Sequence, residues 1–421
     1  MSRFGHLREF CLSSACVCVV LWCASVSAGI AISGGKLYTM EGAEADEGVT
    51  ILISEGIIEA VGSDLEIPFD YERVDAEGKV VTPGFIESYS QLGLVEISGE
   101  STTVDGNIAD YSLGPAFDVR YSINSNSTLF PVNVMEGITR AIVAPRSGND
   151  PLAGWGGAVD LATGSLTHTE IALFGSVGAG TAAFVGGSRS AVLMRLGRAF
   201  RAARRYSPSR YRPGEHDYRH QDMEALKRFR GADVPLVLEV HRANEISQVV
   251  TLAEDLNISL VLRGGTEAWQ VADLLASEAV PVIVDPLGNL PRSYDRLGAR
   301  LDNAALLHRA GVRVLISSQQ THNVRLLRQQ AGNAVANGLP WITALAAVTR
   351  NPAEVFGLGN VGTIAVGNRA DIVIWSGDPL EITTWAERVM VDGDWVPMQS
   401  RQTRLFERYK DLGGDEPFGF R

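Results

Sequence analysis

The second half of the chain repeats one pattern, and that pattern narrows the folds open to it. From Val234 it runs VPLVLEV, a helix-period stretch through Ile246, Val249, Val250 and Ala253, then ISLVLRG, EAWQVADLLA and VPVIVDP. The helical LDNAALLHRAG, the strand-like VRVLISS and the helical VRLLRQQAGNAVANGL follow. Short, wholly apolar strands separated by helices must be covered on both faces. This requires a parallel sheet with helical crossovers, either closed as a barrel or open and doubly wound. The 421 residues, 45% hydrophobic and 20% charged, exclude a disordered, collagen-like or coiled-coil chain.

The ends are of another kind. Residues 30–82 (IAISGGKLYTM, GVTILISEGIIEAVG, VVTPGFI) and 361–397 (VGTIAVGNRADIVIW, AERVMVDGDWVP) are short alternating strands broken by Gly turns. Two β-rich ends around a strand-helix repeat predict that the termini meet in one small sheet domain. The expected division is 29–82 with 356–398 as that domain, 83–355 as the larger body, and 399–421 as a polar, loosely held tail. The Gly-rich GSVGAGTAAFVGG lacks the strand context of a dinucleotide loop and is assigned to turns or close packing.

All four cysteines, Cys11, Cys16, Cys18 and Cys23, fall in an apolar run that follows Arg3 and Arg8 and ends in Val26-Ser27-Ala28. Residues 1–28 are therefore expected to be a signal peptide cleaved after Ala28. The run is shorter than the roughly 20 residues a membrane-spanning helix needs, and neither Cys16 nor Cys23 sits in a good lipobox. The expected location is the periplasm. A mature chain without cysteine uses no disulfide, thiol nucleophile or Cys-ligated zinc.

The net charge of −12 argues against nucleic acid as a partner, and none is expected. One segment reverses the sign, since Arg189 to Arg230 carries 11 Arg and Lys227 against four acids. Its opening, SAVLMRLGRAFRAARRY, puts Val192, Leu196 and Phe200 on one helical stripe and Arg198, Arg201 and Arg205 on another. A solvated amphipathic helix accounts for this, and docking on an anionic surface or an acidic partner is the alternative.

Five stretches carry a resemblance: VVTPGFIESYSQLGL, NDPLAGWGGAVDL, ADVPLVLEVHRANEI, LVLRGGTEAW and TRNPAEVFGLGNVGTIAVGNRADIVIWSGDPLE. Together they resemble the amidohydrolase superfamily, and within it the imidazolonepropionase-like and related periplasmic members. The resemblance covers nearly all of the mature chain. It implies a distorted (β/α)8 TIM barrel with a flanking β-sandwich built from both termini, which decides for a barrel over an open sheet. It also implies hydrolysis of C–N bonds in amides or cyclic amides by one or two divalent metals, usually zinc. The metal activates water and an Asp takes the proton.

The positions that should carry this chemistry have changed. Where similar proteins have His-x-His after Pro-Gly, this chain has Tyr89 and Gln91, both weak donors to zinc. On the VPLVLEVHRANEI strand Glu239 stands in place of the first histidine and His241 keeps the second. Gly264 replaces a metal histidine, Gln319 the aspartate base, and Asp160 a lysine. Glu239 and His241 are the candidate catalytic or ligand pair, and an ordinary buried ion pair is the alternative. Among other groups, His216 with His220 has i, i+4 spacing, His322 and Asp285 could face the barrel mouth, and His168 and His308 carry no motif.

These readings lead to a degenerate member with no metal cofactor expected. Its pocket is lined by Tyr89, Gln91, Glu239, His241 and Gln319, and its partner is a small-molecule ligand. The alternatives are an active hydrolase rebuilt around Glu239 and His241, with help from Asp160 or Asp285, or a structural subunit of an active amidohydrolase in a homo- or hetero-oligomer.

Overall fold

A computed structural model describes residues 29–108, 113–214, 217–288 and 290–410. Residues 1–28, where a signal peptide is expected, His216 and the last residues of the expected tail lie outside the described residues. No helix among the described residues is long and apolar enough to cross a membrane.

Strands from both ends of the chain form two sheets. They are β1 (Ile30–Ser33), β2 (Lys36–Leu37), β3 (Val49–Ser54), β4 (Ile57–Ser63), β5 (Glu72–Asp75) and β6 (Val80–Pro83), which precede the barrel. The barrel strands are β7 (Phe85–Ser90), β8 (Ile138–Val143), β9 (Leu152–Asp160), β10 (Leu166–Ser176), β11 (Leu236–Val240), β12 (Leu260–Gly264), β13 (Val282–Val284) and β14 (Val314–Ile316). After it come β15 (Ile372–Trp375), β16 (Ala386–Val391) and β17 (Asp394–Trp395). The flanking sheets run β4-β3-β1-β5 and β17-β16-β15-β6-β2, so β15 from the C-terminal end pairs with β6 from the N-terminal end.

Alternation along β15 shows how the two bodies share a wall. Ile372 and Ile374 join Ile32, Ile51, Ile53 and Val81 in the sandwich core, while Val373 and Trp375 face the core that covers the barrel. Arg140 of β8 ties the same wall together. It is buried with Asp371 at 2.8 Å and Asp392 at 2.6 Å, both carried by the sandwich.

The eight-stranded sheet runs in order from β7 to β14 and closes nearly into a barrel. Its lumen is packed by Ile86, Ile142, Phe174, Val237, Val261, Ile283 and Leu315. The alternate residues Leu236, Leu238, Leu260, Leu262, Val282 and Val314 face outward under the helices. Burial on both faces is why these strands are apolar throughout. Seven strands are parallel, and β9 is reversed, antiparallel to both β8 and β10. Gly156 of β9 allows the close approach this needs, because a Cβ there would press into the Phe174 ring and Val143 O.

At the seam between β14 and β7 side chains do much of the closing. Ser318 donates to Glu87 Oε2 from its backbone N at 3.0 Å and its Oγ at 2.6 Å, and Ser317 Oγ donates to Tyr89 O at 3.2 Å. Glu87 is fully buried, and burial pushes its carboxyl up to about 7 despite these donors.

The helix Arg189–Arg205 buries Val192, Leu196 and Phe200 and leaves Arg198, Arg201 and Arg205 exposed. Within the expected tail, Arg401–Tyr409 is a helix with no buried residue. A capping box starts it, with Thr403 N donating to Ser400 Oγ at 3.2 Å and Ser400 N to Thr403 Oγ1 at 2.8 Å.

Candidate functional site

The ends of the barrel strands place the candidate residues by simple counting. Val237 of β11 points into the lumen, so Glu239 does too, and His241 follows just past the strand. By the same rule Val261 of β12 brings Arg263 inward, in register with Glu239. Tyr89 and Gln91 come from the end of β7, and Gln319 from the loop after β14.

The groups converge on Arg263, which is only 7% exposed. Its Nη2 donates to Glu239 Oε2, its Nη1 donates to Gln319 Oε1 at 3.0 Å, and its Cζ lies 3.9 Å from the Tyr89 ring centroid. Behind it Gln91 Nε2 donates to Tyr89 OH at 3.2 Å, and Arg146 and Thr321 donate to Gln91 Oε1 at 3.4 Å. The five residues singled out from sequence are thus brought together, but around a sixth that was not.

Glu239 Oε1 faces His241 Nε2 at 3.2 Å and Arg296 Nη2 at 3.8 Å, while Arg296 Nη2 is 3.2 Å from the same imidazole nitrogen. An Nε2–H that donates to Glu239 cannot also accept from Arg296, so the imidazole serves one or the other. His241 Nδ1 meets Thr266 Oγ1 at 2.9 Å, which fixes the ring. Burial pushes the Glu239 carboxyl up, but Arg263, His241 and Arg296 outweigh it and hold it well below the usual carboxylate range. Burial likewise works against the Arg263 charge, and Glu239 and Tyr89 together outweigh it.

Gly264 has φ +92°, and a Cβ there would lie 2.5 Å from His241 Cε1. The His241 ring fills the space a side chain at 264 would need. Asp285 lines the same end, and burial raises its carboxyl even though Gly288 N donates to it at 2.8 Å.

Other candidates lie elsewhere. Asp160 ends the reversed strand β9, 3.7 Å from Arg140 beside the sandwich, at the opposite end of the barrel from Glu239. It was a candidate because the resemblance sets a lysine at that position. His168 lies near Arg140 at that same end, and His308 lines a cleft beside Met40. His220 engages Tyr206 and lies 3.4 Å from Glu224. His322 is on the mouth side, its Nε2 2.8 Å from Glu96 O.

A cleft of about 440 Å³ opens beside the Glu239–His241 pair, bounded by Asn149, Ser176, Thr181, Ser293 and Arg296. As a metal shell the set does not fit. Glu239 and His241 make two donors where a catalytic zinc takes three and a water, and the carboxylate is already engaged by guanidinium groups. Among the described residues no group of three or more His, Cys, Asp or Glu side chains could hold a metal ion.

Residues 220–396 match the sequence model of the amidohydrolase family. Amidohydrolase tasK of Hapsidospora irregularis is 24% identical over 392 residues, covering 82% of this chain. The chain spans only 39% of that relative's length. The crystal structure of an amidohydrolase from Thermotoga maritima MSB8 superposes with a TM-score of 0.79 at 25% identity, over 88% of this chain and all of that one. An adenosine deaminase from Xanthomonas campestris, with bound zinc, shares the fold at 16% identity and TM-score 0.54, over 90% of this chain and 97% of its own. The matched segment, the related sequence and the barrel together support the amidohydrolase superfamily for this chain.

Proposed function

We propose that this chain is a metal-independent amidohydrolase-fold protein that binds a small polar molecule at the barrel mouth and does not hydrolyse a C–N bond. The observation that carries this is the state of Glu239. The Glu239 carboxylate, paired with the His241 imidazole at the mouth, is held ionised by Arg263 and Arg296, so it is a poor proton acceptor and an occupied ligand. The adjacent cleft of about 440 Å³ is within the size range of small-molecule sites, and its Ser, Thr and Asn side chains supply the polar groups that orient a ligand. With the leader read over residues 1–28, this role belongs in the periplasm.

A panel of N-acyl amino acids, dipeptides and lactams, screened for turnover and for a shift in melting temperature, tests the proposal. It expects no turnover and a saturable shift from at least one compound, abolished by Ser293→Trp, which fills the cleft. Turnover that disappears in Glu239→Ala would replace it with a working hydrolase. A second reading is a structural subunit beside an active amidohydrolase. Co-purification of a histidine-complete amidohydrolase would favour it.

A further inference from the structure

We infer that the barrel mouth is a guanidinium site filled from within by Arg263, the organic cation standing where the family resemblance calls for a metal. The inference rests on the metal-independent reading above. Tyr89, Glu239 and Gln319 occupy positions that in similar proteins would serve the metal, and all three turn their groups on Arg263. Each contact suits a planar delocalised cation. The Tyr89 ring lies 3.9 Å from Cζ, as a stacked face does, while the Glu239 carboxylate and the Gln319 amide oxygen take N–H groups of different nitrogens. A metal ion would have no use for the ring face, and a lysine ammonium could not serve all three at once.

The surroundings keep this arrangement fixed. Gln319 is held at φ +50°, a left-handed conformation that non-glycine residues adopt only where their neighbours impose it. Gln91 braces the Tyr89 hydroxyl at 3.2 Å, and Arg296 and His241 hold the other carboxylate oxygen of Glu239. The tethered cation cannot exchange, so a ligand in the cleft meets a fixed positive charge in place of an ion with open coordination positions.

Vacating the site tests this. Arg263→Ala should lower the unfolding midpoint, and millimolar methylguanidinium should restore it saturably, with a half-saturation about tenfold below that of methylammonium. Wild type should not respond, and adding Tyr89→Leu to Arg263→Ala should remove the rescue. Should Arg263→Ala not fold, Arg263→Lys decides, since it should fall below wild type although it keeps the charge. The inference is overturned if methylguanidinium has no effect, if methylammonium or zinc rescues equally well, or if Arg263→Lys matches wild type. Stoichiometric zinc uptake by wild type would instead defeat the metal-independent reading itself, whatever the variants do.

Discussion

Glu87 ties the stability of the barrel seam to pH in a way that can be worked out in advance. Its carboxyl is buried at the join of β7 and β14 and titrates near 7, against 4.5 when free in solvent. Because the folded value is the higher one, the neutral acid favours the fold. That contribution is fully present below pH 4.5 and is lost as pH rises through 7. A displacement of 2.5 units corresponds to about 3 kcal/mol at ~1.36 kcal/mol per unit. Glu87→Gln keeps an acceptor for Ser318 but sets an amide N–H against Tyr89 N, which now donates to Oε1 at 3.1 Å. The lost hydrogen bond should therefore leave the variant about 1–3 kcal/mol less stable near pH 4.5, where folded Glu87 is neutral, and the two proteins should draw level or cross as pH rises. The diagnostic quantity is the slope. Asp150, Asp160, Asp285 and Glu245 are also raised by burial and act in the same direction, so only the difference between the two proteins isolates Glu87. Urea unfolding between pH 4.5 and 8.5 should show the wild-type advantage shrinking by about 3 kcal/mol across the window. Parallel profiles would refute the assignment.

Three further outcomes follow from the contacts. Gly264→His, which restores a family ligand on paper, should destabilise by about 2–4 kcal/mol through its positive φ and the collision with His241, as urea midpoints would show, and should bring no zinc binding. Arg140→Ala strands Asp371 and Asp160 in the wall between barrel and sandwich, so thermal unfolding should reveal a loss of about 3–5 kcal/mol. Glu239→Ala leaves Arg263 buried without its carboxylate and should cost about 3 kcal/mol by chemical denaturation, with no turnover to lose on the substrate panel.

Much of the fold was legible because its cause is periodic. VPLVLEV, ISLVLRG, VPVIVDP and VRVLISS became β11 to β14, since only strands covered on both faces are apolar at every position. Val192, Leu196 and Phe200 are buried as the helical stripe required. The reversed β9 was not legible, because GWGGAVD owes its placement to bare glycine backbone beside Phe174 and not to a side-chain pattern. The site was half legible. Positions 89, 91, 239, 241 and 319 were found by comparison with the histidines and the aspartate of similar proteins, of which only His241 is kept, but the residue that joins them escaped notice. A signal existed: Val261 inward implies Arg263 inward, and a charged residue aimed into a barrel needs partners. Arg296 gave no such signal, because it reaches Glu239 from the short 3₁₀ turn Tyr294–Arg296 in a loop with no periodicity.

The central claim is that this barrel mouth works without a metal ion. Elemental analysis tests it most directly, on residues 29–421 purified without chelator or affinity metal and then dialysed against zinc. The account predicts far less than one equivalent of any divalent metal per chain. One equivalent, retained after dialysis and lost in Glu239→Ala or His241→Ala, would contradict it.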